Sequence, residues 1–237
     1  MAQARYMADF MHELRTSLMI IALISRNLEG MAHDPLMLKE LQEELGCIHE
    51  MIDATSILTQ FNGLGPPQHE PVDLALLARQ EVERLSLLAK EKRQNLRCTG
   101  PKQLIVQGDN ELLRWMIRNL VHNAIKYTHE DGQILCEWAS VRRVSLGSEW
   151  PGSDHLPQDQ ACWATLCVTD TGVGISQEEL PYIFDRSYRG KSSMQVAGAG
   201  LGLAIVRELL NAHSGHIGVD SASGEGSRFV VYLPVAK

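Results

Sequence analysis

Two apolar seams, separated by a single break, constrain this chain more than any other feature. The first runs Met7, Met11, Leu14, Leu18, Ile21 and Leu28, with Ser25 filling one gap. Its steps alternate between four and three residues, the repeat of helices that pack side by side. The second runs Leu38, Leu41, Leu45, Ile48 and Ile52, and on through Thr55. Between them stands Gly30-Met31-Ala32-His33-Asp34-Pro35. Gly30 suits a helix C-terminus, and Asp34-Pro35 suits the cap and first position of the next helix. The pattern predicts an α-helical hairpin. Two helices this short are marginal alone, because each leaves apolar surface in water. Two copies pairing into a four-helix bundle remove that deficit, so the chain is expected to be a homodimer.

Gly63-Leu64-Gly65-Pro66-Pro67 is the clearest boundary signal, and it divides residues 1–65 from residues 66–237. The second part mixes helices and strands. Helices are expected from Leu74 to about Lys92, with Asp73 as N-cap, from Glu111 to Tyr127, and from Leu203 to Ala212. Strands are expected at Leu104–Val106, Gln133–Val144, Ala161–Val168, Ile217–Asp220 and Arg228–Leu233. The polar segment 145–160, with its Gly and Pro residues, reads as a mobile loop between two strands that otherwise form a hairpin.

Chemistry concentrates first in Phe10-Met11-His12-Glu13-Leu14-Arg15-Thr16-Ser17-Leu18. His12 stands one residue past the seam position Met11, so it flanks the seam and stays accessible. Thr16 lies one turn on, on the same helix face. An imidazole titrates near neutrality, so a nucleophilic fraction exists at cellular pH. Glu13 can accept a proton from one ring nitrogen while the other attacks. An isolated His-Glu pair is most often a solvated surface pair, so the weight of any reading falls on the second part.

Four short motifs follow there in one order. They are Asn119-Leu120-Val121-His122-Asn123-Ala124-Ile125-Lys126-Tyr127, Asp170-Thr171-Gly172-Val173-Gly174-Ile175, Phe184-Asp185-Arg186-Ser187-Tyr188-Arg189, and Gly198-Ala199-Gly200-Leu201-Gly202-Leu203-Ala204-Ile205. Asn119 and Asn123 share a helix face with Lys126 nearby. Amide oxygens suit a hard octahedral Mg²⁺, and an ammonium answers phosphate charge. Asp170 ends an apolar strand, and its carboxylate can accept from the exocyclic amine of adenine. Gly172 and Gly174 let the backbone approach a base. Gly198, Gly200 and Gly202 lead into a helix N-terminus, an arrangement that binds anions. Other phosphate loops do not fit. A Walker A loop ending at Lys191 needs glycine where Asp185 stands, and a Rossmann fingerprint needs glycine where Leu203 stands.

The segment around His12 resembles the phosphoacceptor motif of sensor histidine kinases, F-x-H-E-L-R-T-P-L, with Ser17 in place of proline. The four later motifs resemble, in order, the N, G1, F and G2 boxes of the ATP-binding domain of that family, the Bergerat fold. The resemblance implies a dimerisation hairpin carrying His12, then an α/β two-layer sandwich with a mixed sheet. It implies ATP-dependent phosphorylation of His12, with Glu13 as base, and transfer to an aspartate of a response regulator. It assigns Asn123 to Mg²⁺, places Asn119 and Lys126 near the phosphates, packs Tyr127 on the adenine and brings Arg189 to the outer phosphate. Tyr188 to Ala199, with Ser192 and Ser193, would be a lid, and Leu201 belongs to the glycine box. Thr16 matches the position that orients water in dephosphorylation. Ser17 restores a backbone donor that proline lacks, so the helix is expected to run straighter below His12. Ser187 replaces a usual aromatic, and the role of His122 stays open. The alternative is a non-catalytic ATP-binding signalling or dimerisation module.

The totals agree with such a module. The net charge of −7 argues against nucleic acid and anionic membrane as partners. Five cysteines without a C-x-x-C spacing suit a reducing cytoplasm. No apolar run approaches the ~20 residues that span a bilayer. The chain begins almost on the His12 motif, so it is expected to be the core of a longer sensor, membrane-anchored only through segments outside this sequence.

Overall fold

The computed structural model describes residues 69–147, 149–186, 188–190 and 200–235, together with Met19, Leu45, Gly46, Ile48, Ile52 and Ile57. Those six isolated positions are helical. The rest of the expected hairpin, including His12, Glu13 and Thr16, lies outside the described residues.

Strand β1 (Glu70–Asp73) leads into helix α1 (Leu74–Glu91). Strands β2 (Asn95–Thr99) and β3 (Ile105–Gly108) precede α2 (Asn110–Tyr127). Then come β4 (Gln133–Arg142), β5 (Cys162–Asp170), α3 (Gly202–Ala212), β6 (His216–Ala222) and β7 (Gly226–Pro234). The main sheet has the order β2-β4-β5-β7-β6. β2 runs parallel to β4 and the other pairs are antiparallel, so the sheet is mixed, as expected. β1 and β3 form a separate antiparallel ribbon. β2 was not foreseen because Asn95-Leu96-Arg97-Cys98-Thr99 is exposed along most of its length and lacks the alternation of a half-buried strand. Its pairing with β4 makes it a strand.

Helix starts follow the aspartates. The Asp73 carboxylate accepts from Ala75 N at 3.1 Å and Leu76 N at 3.3 Å. It also accepts from Leu104 N at 3.1 Å, tying the α1 cap to the chain entering β3. Asp109 accepts from Glu111 N and Leu112 N and so caps α2. α1 and α2 are further joined by Glu81, 1% exposed, which meets Arg114 at 3.2 Å and Arg118 at 3.0 Å. A carboxylate that deep is tolerated because two guanidiniums pair with it.

The strand alternation sorts side chains between two cores. Leu166 and Val168 of β5, with Phe229, Val231 and Leu233 of β7, join the helices in the larger one. Trp163, Cys167, Val230 and Tyr232 belong to a second, smaller core. Here the segment 145–160 departs from the expected mobile loop. Leu146 and Leu156 are buried in the second core, with Trp150 packed against it. Arg228 lies over the Trp150 ring at 5.3 Å and donates to Glu149 O at 3.0 Å, and Tyr232 Oη donates to Pro151 O at 2.9 Å. The polar composition concealed a few apolar anchors. They cover a sheet face that would otherwise leave Trp163 and Tyr232 in water.

His213, 2% exposed, fastens the far end of the α2–α3 pair. Its Nε2 accepts from Asp109 N at 3.0 Å, and its Nδ1 lies 2.6 Å from Leu209 O. A carbonyl only accepts, so Nδ1 carries the proton and the ring is neutral. Burial pushes its pKa below the ordinary imidazole value. The Leu209 carbonyl and Asp109 pull it back up, and His69, whose ring centroid is 5.5 Å away, pushes it down. The native state therefore resists a proton that the unfolded chain takes up, and stability should fall as pH drops below ~6.5. His216 adds to this with the same sign. A His213→Gln chain is expected to show a shallower loss between pH 6.5 and 5 in urea melts, and an unchanged slope would contradict this reading of His213.

Candidate nucleotide-binding site

The site is assembled where α2, the end of β5 and the start of α3 meet. β5 ends at Asp170, 6% exposed. Its carboxylate accepts from Gly172 N at 2.8 Å and from the backbone of Ser227. Burial pushes this carboxyl above the usual carboxylate range, and the two N–H groups pull it back. The 170–176 loop is tied to the β6–β7 hairpin through Ser221, whose Oγ accepts from Ile175 N at 2.8 Å and donates to Gly226 O at 2.7 Å. Gly174 has φ +65, and a Cβ there would sit 1.9 Å from Ala222 O. Only glycine fits that turn.

On α2 the two asparagines do share a face. Asn123 Nδ2 donates to Asn119 Oδ1 at 3.2 Å. That bond uses the amide nitrogen of Asn123 and leaves its oxygen available to a hard cation. Asn119 also backs onto the start of α3. A Cβ at Gly202 would meet its Nδ2 at 2.4 Å, so glycine there permits the close approach of the two helices. Leu201 is buried in the position before α3 and accepts the first backbone bond from Ile205. Gly200 adopts φ +67.

Between these elements opens a cleft with about 700 Å³ of empty space, open solvent included. Asn123, Tyr127, Asp170 and Gly174 line it, as the sequence predicted. Gly172 is buried behind Asp170, Lys126 Nζ lies 5.8 Å from the Tyr127 ring, and Arg189 is exposed. Gly198, Ser187 and residues 191–199 of the expected lid lie outside the described residues. Ser227 and Phe229 line the cleft too, and sequence reasoning missed them. The available signal was Gly224-Glu225-Gly226 directly before an apolar strand. Glu179 and Tyr188 complete the rim. Phe184, behind it, lies under Arg207, while Asp185 pairs with Arg207 at 3.8 Å and Arg186 with Glu208.

Chemically, the cleft offers a buried carboxylate and an aromatic ring, together with the Asn123 amide and Leu203 from the first turn of α3; Asn119, Gly200 and Gly202 stand behind these and do not line it. The carboxylate and ring suit a base that carries an amine, and the Asn123 amide suits phosphates with a metal.

Residues 108–237 match the family described as Histidine kinase-, DNA gyrase B-, and HSP90-like ATPase. The sensor histidine kinase AtsR of Burkholderia thailandensis is 32% identical over 99% of this chain and 37% of that protein. The phosphate regulon sensor protein PhoR of Pseudomonas aeruginosa is 30% identical over 98% of this chain and 50% of that protein. The chain thus spans half or less of these relatives. Full-length ShkA, solved in complex with AMPPNP, aligns with a TM-score of 0.64 at 25% identity, covering 95% of this chain and 44% of that one. Among the described residues no helix is long and apolar enough to cross a membrane. The order of its boxes, the mixed sheet packed against helices and the cleft at Asp170 all agree with these matches: the chain belongs to the Histidine kinase-, DNA gyrase B-, and HSP90-like ATPases, and residues 108–237 form an ATPase domain similar to that of sensor histidine kinases.

Proposed function

We propose that this chain transfers the γ-phosphoryl group of ATP to His12 and passes it to an aspartate of a response regulator. One observation carries the reading: the buried Asp170 carboxylate and Asn123, whose amide donates to Asn119, line a single cleft. In this reading residues 1–65 form the dimerisation and phosphotransfer hairpin, and residues 66–237 bind the nucleotide. Leu45 and Ile52, apolar positions of the second seam, are exposed in the single chain, which favours a second copy covering them.

Asp170 accepts from the adenine amine, and Tyr127 packs on the ring. Asn123 would hold Mg²⁺ through its amide oxygen, and Asn119 orients that amide. The metal, when bound, offsets charge on the outer phosphates. Lys126 and Arg189 add fixed positive charge. A ring nitrogen of His12 forms the new bond to the γ-phosphorus, the bond to the bridging oxygen breaks, and ADP leaves with that electron pair. Glu13 takes the proton from the other ring nitrogen. Such a transfer needs placement and charge neutralisation more than covalent help from the protein. Thr16 orients water if the same hairpin dephosphorylates its regulator. The chain acts in the cytoplasm, where ATP and regulator are present.

Asn123→Ala tests the metal side. Alanine is the best helix former, so α2 should persist and the melting temperature should hold. Labelling by γ-labelled ATP should slow on the order of 100-fold. A rate within threefold of wild type would remove Asn123 from the mechanism.

A further inference from the structure

A helix leaves its last four carbonyls without partners of its own. In α2 they carry unusual weight, because Asn123, Lys126 and Tyr127 all sit on that final stretch. Apart from the adjoining Thr128, the groups that satisfy them come from distant segments. Thr128 N donates to Ala124 O at 3.0 Å. Lys92 Nζ donates to Ile125 O at 3.0 Å and to Lys126 O at 3.2 Å. Val173 N, inside the Asp170–Ile175 loop, donates to Tyr127 O at 3.1 Å. Gln94 Nε2 donates to Ile125 O at 3.0 Å and Thr128 O at 2.7 Å, with His129 O at 3.4 Å. The turn after α1 thus grips the end of α2 from one side while the Asp170 loop grips it from the other.

We infer that Lys92 and Gln94 are positioning residues for the nucleotide: they fix the last turn of α2 and so set Asn123 and Tyr127 against Asp170. Gln94 is 6% exposed, and among the described residues its Oε1 is buried without a hydrogen-bond partner. An orphaned acceptor is costly. The opposite amide orientation would set that oxygen against three carbonyl oxygens, so the helix end dictates how the side chain points. Lys92 serves as a donor on a long stem that reaches across from the end of α1. Burial, and secondarily the like charge of Lys126, lower its pKa. Arg93 between them adopts φ +56 and pairs with Asp131 at 3.3 Å and with Glu130, which pins the turn to the loop after α2.

This inference rests on the nucleotide reading of the same cleft, and its test separates the two. The whole chain is compared as wild type, Lys92→Met, Lys92→Arg and Gln94→Leu, with circular dichroism confirming the fold at the assay temperature. Met keeps the stem of Lys92 and removes its donors. Leu at 94 changes no charge, so a shared effect reports placement and not long-range attraction. Calorimetry with MgATP should show roughly tenfold weaker binding for Lys92→Met and Gln94→Leu. The KM for ATP in labelling should rise in parallel with kcat within about twofold, and Lys92→Arg should restore both. Binding and KM within twofold of wild type in both variants, with only the melting temperature lowered, would overturn the inference and leave the kinase reading intact. Wild type that binds MgATP with the expected variant shifts but never labels would sustain the positioning role and sink the kinase reading. Wild type that binds no nucleotide overturns both.

Discussion

Asp170→Asn is expected to weaken ATP binding about 100-fold and to collapse the preference for ATP over GTP. The carboxylate is an acceptor on every side, and its buried position already uses that property on Gly172 N and the Ser227 backbone. Asparagine keeps one acceptor and adds a donor. That donor must face either a backbone N–H or the adenine amine, and each arrangement sets donor against donor. Burial makes the mismatch expensive. Guanine presents an oxygen where adenine presents its amine. The wild-type carboxylate repels that oxygen and the amide can donate to it. Calorimetric titration with both nucleotides checks this. An unchanged ATP-to-GTP ratio would remove Asp170 from base recognition.

His12→Gln is expected to abolish phosphoryl uptake while ATP binding stays within about twofold of wild type. Glutamine is polar, fits a helix well and offers no nucleophilic lone pair of imidazole basicity. Among the described residues, those that line the cleft all lie beyond the 63–67 boundary, so it should not sense the change. Binding and chemistry would then separate cleanly, as expected when a tethered domain delivers the phosphoryl group to a hairpin. Loss of both together would mean that the hairpin shapes the cleft.

What could be read in the sequence was whatever local chemistry enforces. The starts of α1 and α2 follow from Asp73 and Asp109, each bonded to the helix's first amides. Asn119, Asn123, Tyr127, Asp170, Gly174 and Gly202 come together because helix periodicity and turn geometry dictate where they point. β2 was hidden because its side chains are exposed and only its partner strand makes it a strand. The 145–160 segment was misjudged because three anchors, Leu146, Trp150 and Leu156, hold a run that is otherwise polar. Ser227 joins the cleft through strand register opposite Asp170, a relation across 57 positions of chain. Lys92 and Gln94 act on carbonyls more than 30 positions away, and no local pattern marks them.

Chemical mapping of the phosphoryl group tests the central claim most directly. Trypsin should release Tyr6–Arg15 as one peptide, in which His12 is the only imidazole and neither serine nor threonine occurs. After incubation with γ-labelled ATP and Mg²⁺, the account predicts label on this peptide, lost in acid and retained in base, as a phosphorus–nitrogen bond requires. Acid-stable label there, label on any other peptide, or a chain that binds ATP and never becomes labelled would contradict it.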